Sequence, residues 1–458
     1  MASSESADLV ILGGGSGGYA CALRAAELGK TVIMIEKDKV GGTCLHRGCI
    51  PTKALLHAAE VADQTRESAS VGVNATLEGI DMAGVNSYKD KVVGRLFKGL
   101  QGLVKSRGIT TVEGSGRLVG PDTVQVGDEP YRGAHVVLAT GSYSRSLPGL
   151  DIDHQRIITS EDALTLDRVP GSAVVLGGGV IGVEFASIWR SFGAEVTIVE
   201  ALPHLLPLED ESSSKLLERA FRKRGIGFKI GTRFADAKVT DAGVTVTLEG
   251  GETLEGELLL VAVGRGPVSD GLGFEEVGVG MDRGFVTVDE HCRTSVDGIY
   301  AVGDVRPGLQ LAHVGFAEGI MVAEEIGGLN PPTVDYVNVP KITYSEPEVA
   351  SVGLTSAQAA ERGYETVEVT YDLAGNGRSQ ILQTAGAVKV VAAKDGPVLG
   401  VHMVGSRVGE LIAEAQLITN WEALPSEVAQ LIHPHPTMSE AVGEAHLALA
   451  GKPLHTHG

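Results

Sequence analysis

Several residue types are scarce in this 458-residue chain, and each shortage excludes something. Cysteine occurs only at Cys21, Cys44, Cys49 and Cys292, too sparsely for a disulfide scaffold. Aromatic residues make up 4%, which argues against a platform for stacking nucleobases. Basic residues are outnumbered, 38 Lys and Arg against 58 Asp and Glu, for a net charge of −20. That balance disfavours nucleic-acid phosphates and anionic lipid as partners. No apolar run approaches the roughly 18 residues of a membrane span. The longest are strand-sized, 135-HVVLAT-140 and 258-LLLVAVG-264. No basic stretch precedes the first apolar run, so a signal peptide is not expected and the expected location is cytoplasmic.

What is abundant is glycine, with 62 residues and no collagen period. Hydrophobic residues at 43% and a mean hydropathy of +0.12 mark a folded chain. At roughly 150 residues per domain, about three domains are expected.

The strongest signal is an internal repeat. Residues 8-DLVILGGGSGGYACALRAAELGKTVIMIEK-37 and 173-AVVLGGGVIGVEFASIWRSFGAEVTIVEA-201 share one plan: strand, glycine turn, helix, strand, glutamate. The differences 177 − 13, 179 − 15, 182 − 18, 193 − 29 and 200 − 36 are all 164. Each copy carries G-x-G-x-x-G between strand and helix, as Gly13, Gly15 and Gly18, then as Gly177, Gly179 and Gly182. The first glycine makes the tight turn, the second admits a pyrophosphate, and the third lets helix and strand pack closely. The phosphates would sit at the helix N-terminus. Glu36 and Glu200 stand where an acid bonds the ribose hydroxyls. Two dinucleotide sites are therefore expected. No Arg or Lys adjoins Glu200, so the second site should prefer NAD over NADP.

Between the copies lies 41-GGTCLHRGCIPTKALLHAAE-60. Cys49 opens a predicted helix, with Pro51 in its first turn and Lys53, Leu55, Leu56 and Ala59 following. A helix N-terminus and a nearby lysine both lower a thiol's pKa. The spacing of Cys44 and Cys49 permits a reversible disulfide. Inert thiols or half a zinc site are the other readings, although zinc would need two more ligands that no second cysteine pair supplies. Cys21 and Cys292 read as packing or surface residues.

Near the C-terminus the chain reads 433-HPHPTMSE-440. Histidine is the residue type suited to take a proton near neutrality, and Glu440 could orient the ring of His435. A histidine packed in a turn is the plain alternative, and nothing completes a metal site around His433 and His435. Ser439 or Thr437 is expected to cap the helix that follows. Residues 385–405 read as two strands joined at Lys394-Asp395-Gly396, and 409–424 has helical apolar spacing.

The motif GGTCLHRGCIPTKALL between two dinucleotide turns resembles the flavoprotein disulfide reductases along essentially the whole chain. Supporting matches are 299-IYAVGDV-305, 311-LAHVGFAEG-319, 343-TYSEPEVASVG-353 and 433-HPHPTMSEA-441. The likeness is greatest to the members that oxidise dihydrolipoamide. One departure is His46-Arg47, where Asn-Val is usual.

The resemblance implies that the first turn binds FAD and the second the nicotinamide cofactor, NAD. It implies that Cys49 forms the thiolate against the flavin and that Cys44 exchanges with the lipoyl disulfide. It gives Asp304 to the FAD ribityl chain, Ala312 to the same cofactor, and Lys53 with Glu184 to an ion pair beside the flavin. Thr140-Gly141 and Gly264-Arg265 match loops that close the two domains. His435 and Glu440 become the catalytic base and its partner, facing the cysteine loop of the other subunit in a homodimer.

The implied fold class is α/β, with two doubly wound dinucleotide-binding domains, for FAD and NAD, plus an α+β interface domain. The expected bounds are 1–148 for the FAD domain, 149–272 for the NAD domain, 273–340 completing the FAD domain, and 341–458 for the interface. The implied partners are the lipoyl domain and acyltransferase core of a 2-oxo acid dehydrogenase complex, with no nucleic acid and no membrane. A reductase of glutathione or mycothiol disulfide, an NADH oxidase or quinone reductase, and a non-catalytic scaffold are the alternatives. The extreme C-terminal His455 and His457 are expected to be disordered.

Overall fold

A computed structural model describes residues 5–455. Its contacts divide the chain into two units. The first combines Met1–Leu55, Ala83–Arg145 and Gly264–Val334. The second combines Leu56–Met82, Ser146–Val263 and Asp335–Gly458.

The first unit is organised by a seven-stranded sheet. Strand β1 (Glu5–Leu12) pairs in parallel with β2 (Val32–Glu36) on one side and with Glu129–Leu138 on the other. Leu9, Val10, Ile11 and Leu12 are all buried, as a parallel strand covered on both faces requires. Helix α1 (Ser16–Glu27) returns the chain from β1 to β2 as a βαβ crossover. It packs on the helix Ala312–Ile326, and glycines set the approach: a Cβ at Gly319 would lie 2.3 Å from the Gly17 carbonyl oxygen. The strand Ile299–Ala301 pairs with Val136–Leu138, so a late stretch of chain completes this sheet. Cys21 and Cys292 are both buried in one apolar core of this unit.

The second unit holds a five-stranded parallel sheet and, separately, a five-stranded antiparallel one. In the parallel sheet Ser172–Leu176 lies between Glu195–Val199 and Leu258–Val261. The helix Val180–Phe192 makes the crossover. The expected hairpin is present: Ala387–Ala393 pairs antiparallel with Val398–Gly405. The helix expected across 409–424 runs Val408–Asn420 and stops short. Glu422 takes a left-handed conformation (φ 50°), and the Leu424 amide turns to Glu427 instead. The architecture is α/β with repeated dinucleotide-type folds. No helix among the described residues is long and apolar enough to cross a membrane.

Candidate functional site

The two glycine turns are copies in their atoms as well as their letters. Gly13 and Gly177 have φ of 108° and 111°, a region open to glycine. A Cβ at Gly13 would lie 2.2 Å from the Ala139 carbonyl oxygen, and one at Gly177 would lie 2.3 Å from that of Ala262. Gly18 and Gly182 sit equally tight over Gly13 and Gly177. Gly15 and Gly179 have nothing within 4 Å of the Cβ position. These two residues open α1 and Val180–Phe192, and neither helix has a side-chain cap or an acidic residue in its first turn. Such a terminus leaves backbone N–H groups pointing at an anion.

Each acid closes its turn in the same way. Glu36 accepts from the Gly14 amide at 2.7 Å and from the Asp38 amide at 2.9 Å. Glu200 accepts from the Gly178 amide at 2.6 Å and from the Leu202 amide at 2.8 Å. Every carboxylate oxygen keeps a lone pair for a ribose hydroxyl. The residues at both turns therefore fit a dinucleotide.

In the first unit the cysteine loop is laid on the first turn. The Gly41 amide donates to the Gly14 carbonyl at 2.8 Å, and a Cβ at Gly42 would meet the Gly15 Cα at 2.7 Å. Cys44 lies on the short helix α2 (Gly42–Arg47), and Cys49 begins α3 (Cys49–Glu67), as the spacing predicts. The two cysteines stand as a dithiol, neither of them in a disulfide. The Cys44 thiol is pushed up from its ordinary pKa, first because it donates to the Cys49 sulfur and then by burial. Lys53, one turn beyond Cys49, acts in the opposite sense. Cys49 stands at the N-terminus of α3, a position that favours a thiolate.

His46 and Arg47 have structural partners. His46 Nε2 meets the Val40 carbonyl at 3.0 Å, and its ring stands edge-on to Phe97. Arg47 pairs with Asp38 at 3.3 Å.

Other predicted residues of the first unit converge on Ser142, which the sequence reading overlooked. Asp304 accepts from the Ser142 hydroxyl at 2.6 Å, and Arg265 Nε donates to the same oxygen at 2.7 Å. Thr140 bonds the Val268 carbonyl at 2.5 Å, and Gly141 (φ 76°) accepts from the Val268 amide. Gly264 has φ 106°. Ala312 is the first residue of its helix, which has no side-chain cap. Buried Glu318 was also missed, although it lies within a quoted motif: it accepts from the Gly303 amide beside Asp304 and pairs with Arg306.

In the second unit Glu184 is buried and accepts from the Tyr344 amide at 2.9 Å. Lys53 belongs to the first unit. The structure brings His435 and Glu440 together, with Nδ1 and Oε1 2.7 Å apart. The second Glu440 oxygen accepts from the Thr437 amide at 2.7 Å. Burial raises the Glu440 carboxyl, but these two bonds outweigh it and hold the pKa below the ordinary value. Neither Ser439 nor Thr437 caps the helix as expected: Ser439 makes no capping bond, and the Thr437 hydroxyl donates to the Pro434 carbonyl. The carboxylate of Glu440 bonds the Thr437 amide upstream of the helix instead. His433 bonds Glu414 and Asn376 bonds Thr437, two partners that no sequence motif marks. His455, expected to be disordered, is instead bound to Glu444 through both its amide and its ring, while His457 lies outside the described residues.

Residues 7–319 match the family Pyridine nucleotide-disulphide oxidoreductase, and 339–446 match its dimerisation domain, which supports a homodimer. The chain is 42% identical to the dihydrolipoyl dehydrogenase of Bacillus subtilis, over 98% of this chain and 99% of that one. It is 40% identical to the mitochondrial dihydrolipoyl dehydrogenase of Pisum sativum, over 99% and 93%. Among solved structures, LpdA from Mycobacterium tuberculosis superposes with a TM-score of 0.90 at 28% identity, covering 97% of this chain and 99% of that chain.

Proposed function

Because this chain belongs to the pyridine nucleotide-disulphide oxidoreductase family, we propose that it is a dihydrolipoyl dehydrogenase using FAD and NAD. The observation that carries the reading is the joint presence of an asymmetric Cys44–Cys49 pair and a His435–Glu440 pair at 2.7 Å. With Nδ1 engaged by Glu440, His435 presents Nε2 to an incoming dithiol and takes its proton. The substrate thiolate attacks Cys44 in the Cys44–Cys49 disulfide, and that bond breaks with Cys49 leaving as thiolate. The second substrate thiol then displaces Cys44, so the dithiolane closes and the cysteines take up two electrons. FAD and NAD, when bound, supply the two-electron transfer that restores the disulfide.

The first turn, with Glu36, Thr140, Gly141, Asp304 and Ala312, would hold FAD. The second, with Glu200 and Gly264, would hold NAD. Lys53 and Glu184 would pair beside the flavin, and His435 with Glu440 would serve the cysteine loop of the partner subunit. The chain divides as 1–148 and 273–340 for FAD, 149–272 for NAD, and 341–458 for the interface. The separate match over 339–446 supports the start of the interface part. The lipoyl domain and acyltransferase core of a 2-oxo acid dehydrogenase complex are the proposed partners, in the cytoplasm.

The test is to mix the holoenzyme with dihydrolipoamide and either NAD or NADP, and to follow absorbance of the reduced nicotinamide. Rapid reduction of NAD, lost in Cys44→Ser, is the expected result. No turnover, with NAD(P)H-driven reduction of glutathione or mycothiol disulfide instead, would overturn the substrate.

A further inference from the structure

His433 and His435 flank a single proline, and each holds a glutamate at 2.7 Å. Their surroundings are opposite. The His435 side chain is 75% exposed, whereas that of His433 is 12% exposed. His435 uses Nδ1 and leaves Nε2 outward. His433 uses Nε2, on Glu414 of the helix Val408–Asn420, and turns Nδ1 inward.

That inward edge is wedged against the helix Glu440–Leu449: a Cβ at Gly443 would lie 2.5 Å from His433 Nδ1. The same helix supplies Glu440 from its first turn. The other side of His435 is tied by buried Asn376, whose side-chain amide donates to the Thr437 carbonyl at 3.0 Å. The loop is therefore fixed at 433 and at 437, and the exposed His435 stands between two anchors.

We infer that His433, held by Glu414, is a positioning residue for His435, fixing the loop so that Glu440 meets the His435 ring and Nε2 faces the substrate dithiol. The inference deepens the proposed dithiol oxidation and rests on it only for its kinetic readout. The groups around the His433 ring suit this role. Glu414 is its direct partner, and Glu440 adds a favourable charge. Its pKa is raised, first by the Glu414 bond and against burial. The contribution of the pair is thus complete below the ordinary histidine value and is lost as pH rises through the raised one. Buried His446, also in the field of Glu414, is pushed down by burial and stays neutral, so it does not compete for that carboxylate. Deep placement fits His433 for holding the loop and unfits it for meeting substrate.

The test compares His433→Ala, His433→Gln and Glu414→Ala in the FAD-loaded dimer. Two rates are read: dihydrolipoamide oxidation by NAD, and NADH-driven reduction of ferricyanide, which needs no proton from a dithiol. The expected result for His433→Ala and Glu414→Ala is at least a tenfold loss in the first rate with less than a twofold change in the second. His433→Gln, whose amide can still donate to Glu414, should recover most of the loss. Equal losses in both rates, or no recovery with Gln, would make the role general stability and overturn the inference.

A crystal structure of His433→Ala reads the same point without substrate, and so separates this inference from the choice of reaction. Loss of the 2.7 Å contact between His435 Nδ1 and Glu440 is expected. A loop that keeps that contact in the variant would overturn the inference even if dihydrolipoamide proved not to be the substrate. Should His433→Ala fail to fold, Glu414→Ala, which removes the partner and leaves His433 in place, serves both measurements.

Discussion

Glu200 repeats, 164 residues further along the chain, both hydrogen bonds made by Glu36. One carboxylate oxygen takes the amide of the middle glycine in its turn, and the other takes the amide two residues beyond the acid. The acid thus ties the second strand to the glycine turn before any ribose arrives. A carboxylate fixed in this way loses little freedom on binding, which is how preorganisation favours affinity. The two copies differ in burial: Glu200 is buried and Glu36 is half-buried.

Glu200→Gln should therefore weaken NAD more than FAD. The variant keeps one amide acceptor and loses the charge. Hydrogen bonds to a charged group contribute about 1.5–3 kcal/mol, so the KM for NAD should rise roughly tenfold. Loss of the negative charge should also narrow the preference over NADP. Steady-state rates with both nucleotides, at constant flavin content, check this. An unchanged NAD:NADP ratio would remove Glu200 as the discriminating residue.

Gly177→Ala and Gly179→Ala should fail differently. At Gly177 the new Cβ meets a backbone carbonyl oxygen at 2.3 Å in a left-handed conformation, so the fold must shift. A cost of about 1–3 kcal/mol is expected for such a strained position, readable as a lower denaturation midpoint. At Gly179 the backbone is extended and the Cβ has open space. Stability should hold there, while NAD binding falls because the methyl occupies the approach to the helix N-terminus. Calorimetric titration with NAD alongside thermal melts distinguishes the two.

These turns were legible in the sequence because their chemistry is local. Strand, glycine spacing, helix and acid all lie within 30 residues of one another, and a repeat doubles the evidence. The cysteine loop was legible for the same reason, since Cys49 opens its helix as the Pro51 and Lys53 pattern predicts. The convergence on Ser142 was not: Asp304 and Arg265 reach it from more than 120 residues away, and a serine in a loop carries no pattern. Glu414 and Asn376 were hidden likewise, since they act by contact across the antiparallel-sheet region. The helix cap failed for a different reason. Propensity favoured a hydroxyl, but the Thr437 hydroxyl turns to the Pro434 carbonyl and to Ser439, so neither caps the helix.

Asp210 gives a stability prediction with a definite pH sign. It is buried at the N-terminus of the helix Glu211–Arg224, and accepts from Ser212, from Ser356 and from Lys389 Nζ at 3.1 Å. Burial raises its pKa, but these bonds and charges prevail and hold the carboxyl well below the usual carboxylate range. A depressed pKa stabilises the fold above the unfolded value, near 3.9, and that stability is lost as pH falls below it. Asp210→Asn should cost about 1.5–3 kcal/mol at neutral pH, because a charged acceptor is lost while Lys389 keeps Glu368 at 3.0 Å. The gap between variant and parent should shrink as pH drops below about 4. Urea unfolding at pH 7 and pH 3.5 measures both; a gap that does not change with pH would assign the loss to packing.

The two cysteines should separate by spectrum and by alkylation. The Cys44 thiol donates to Cys49, and that bond is the largest cause of its raised pKa. Replacing Cys49 with serine weakens the acceptor and removes its charge. Cys44 should then ionise at lower pH, so the midpoint of its reaction with iodoacetamide in the reduced protein should move down. Cys44→Ser leaves Cys49 at the helix N-terminus with Lys53 one turn away, both favouring thiolate. The long-wavelength absorbance of a thiolate against the flavin should therefore persist in Cys44→Ser and vanish in Cys49→Ser. The reverse pattern would place the charge on Cys44 and exchange the roles of the two sulfurs.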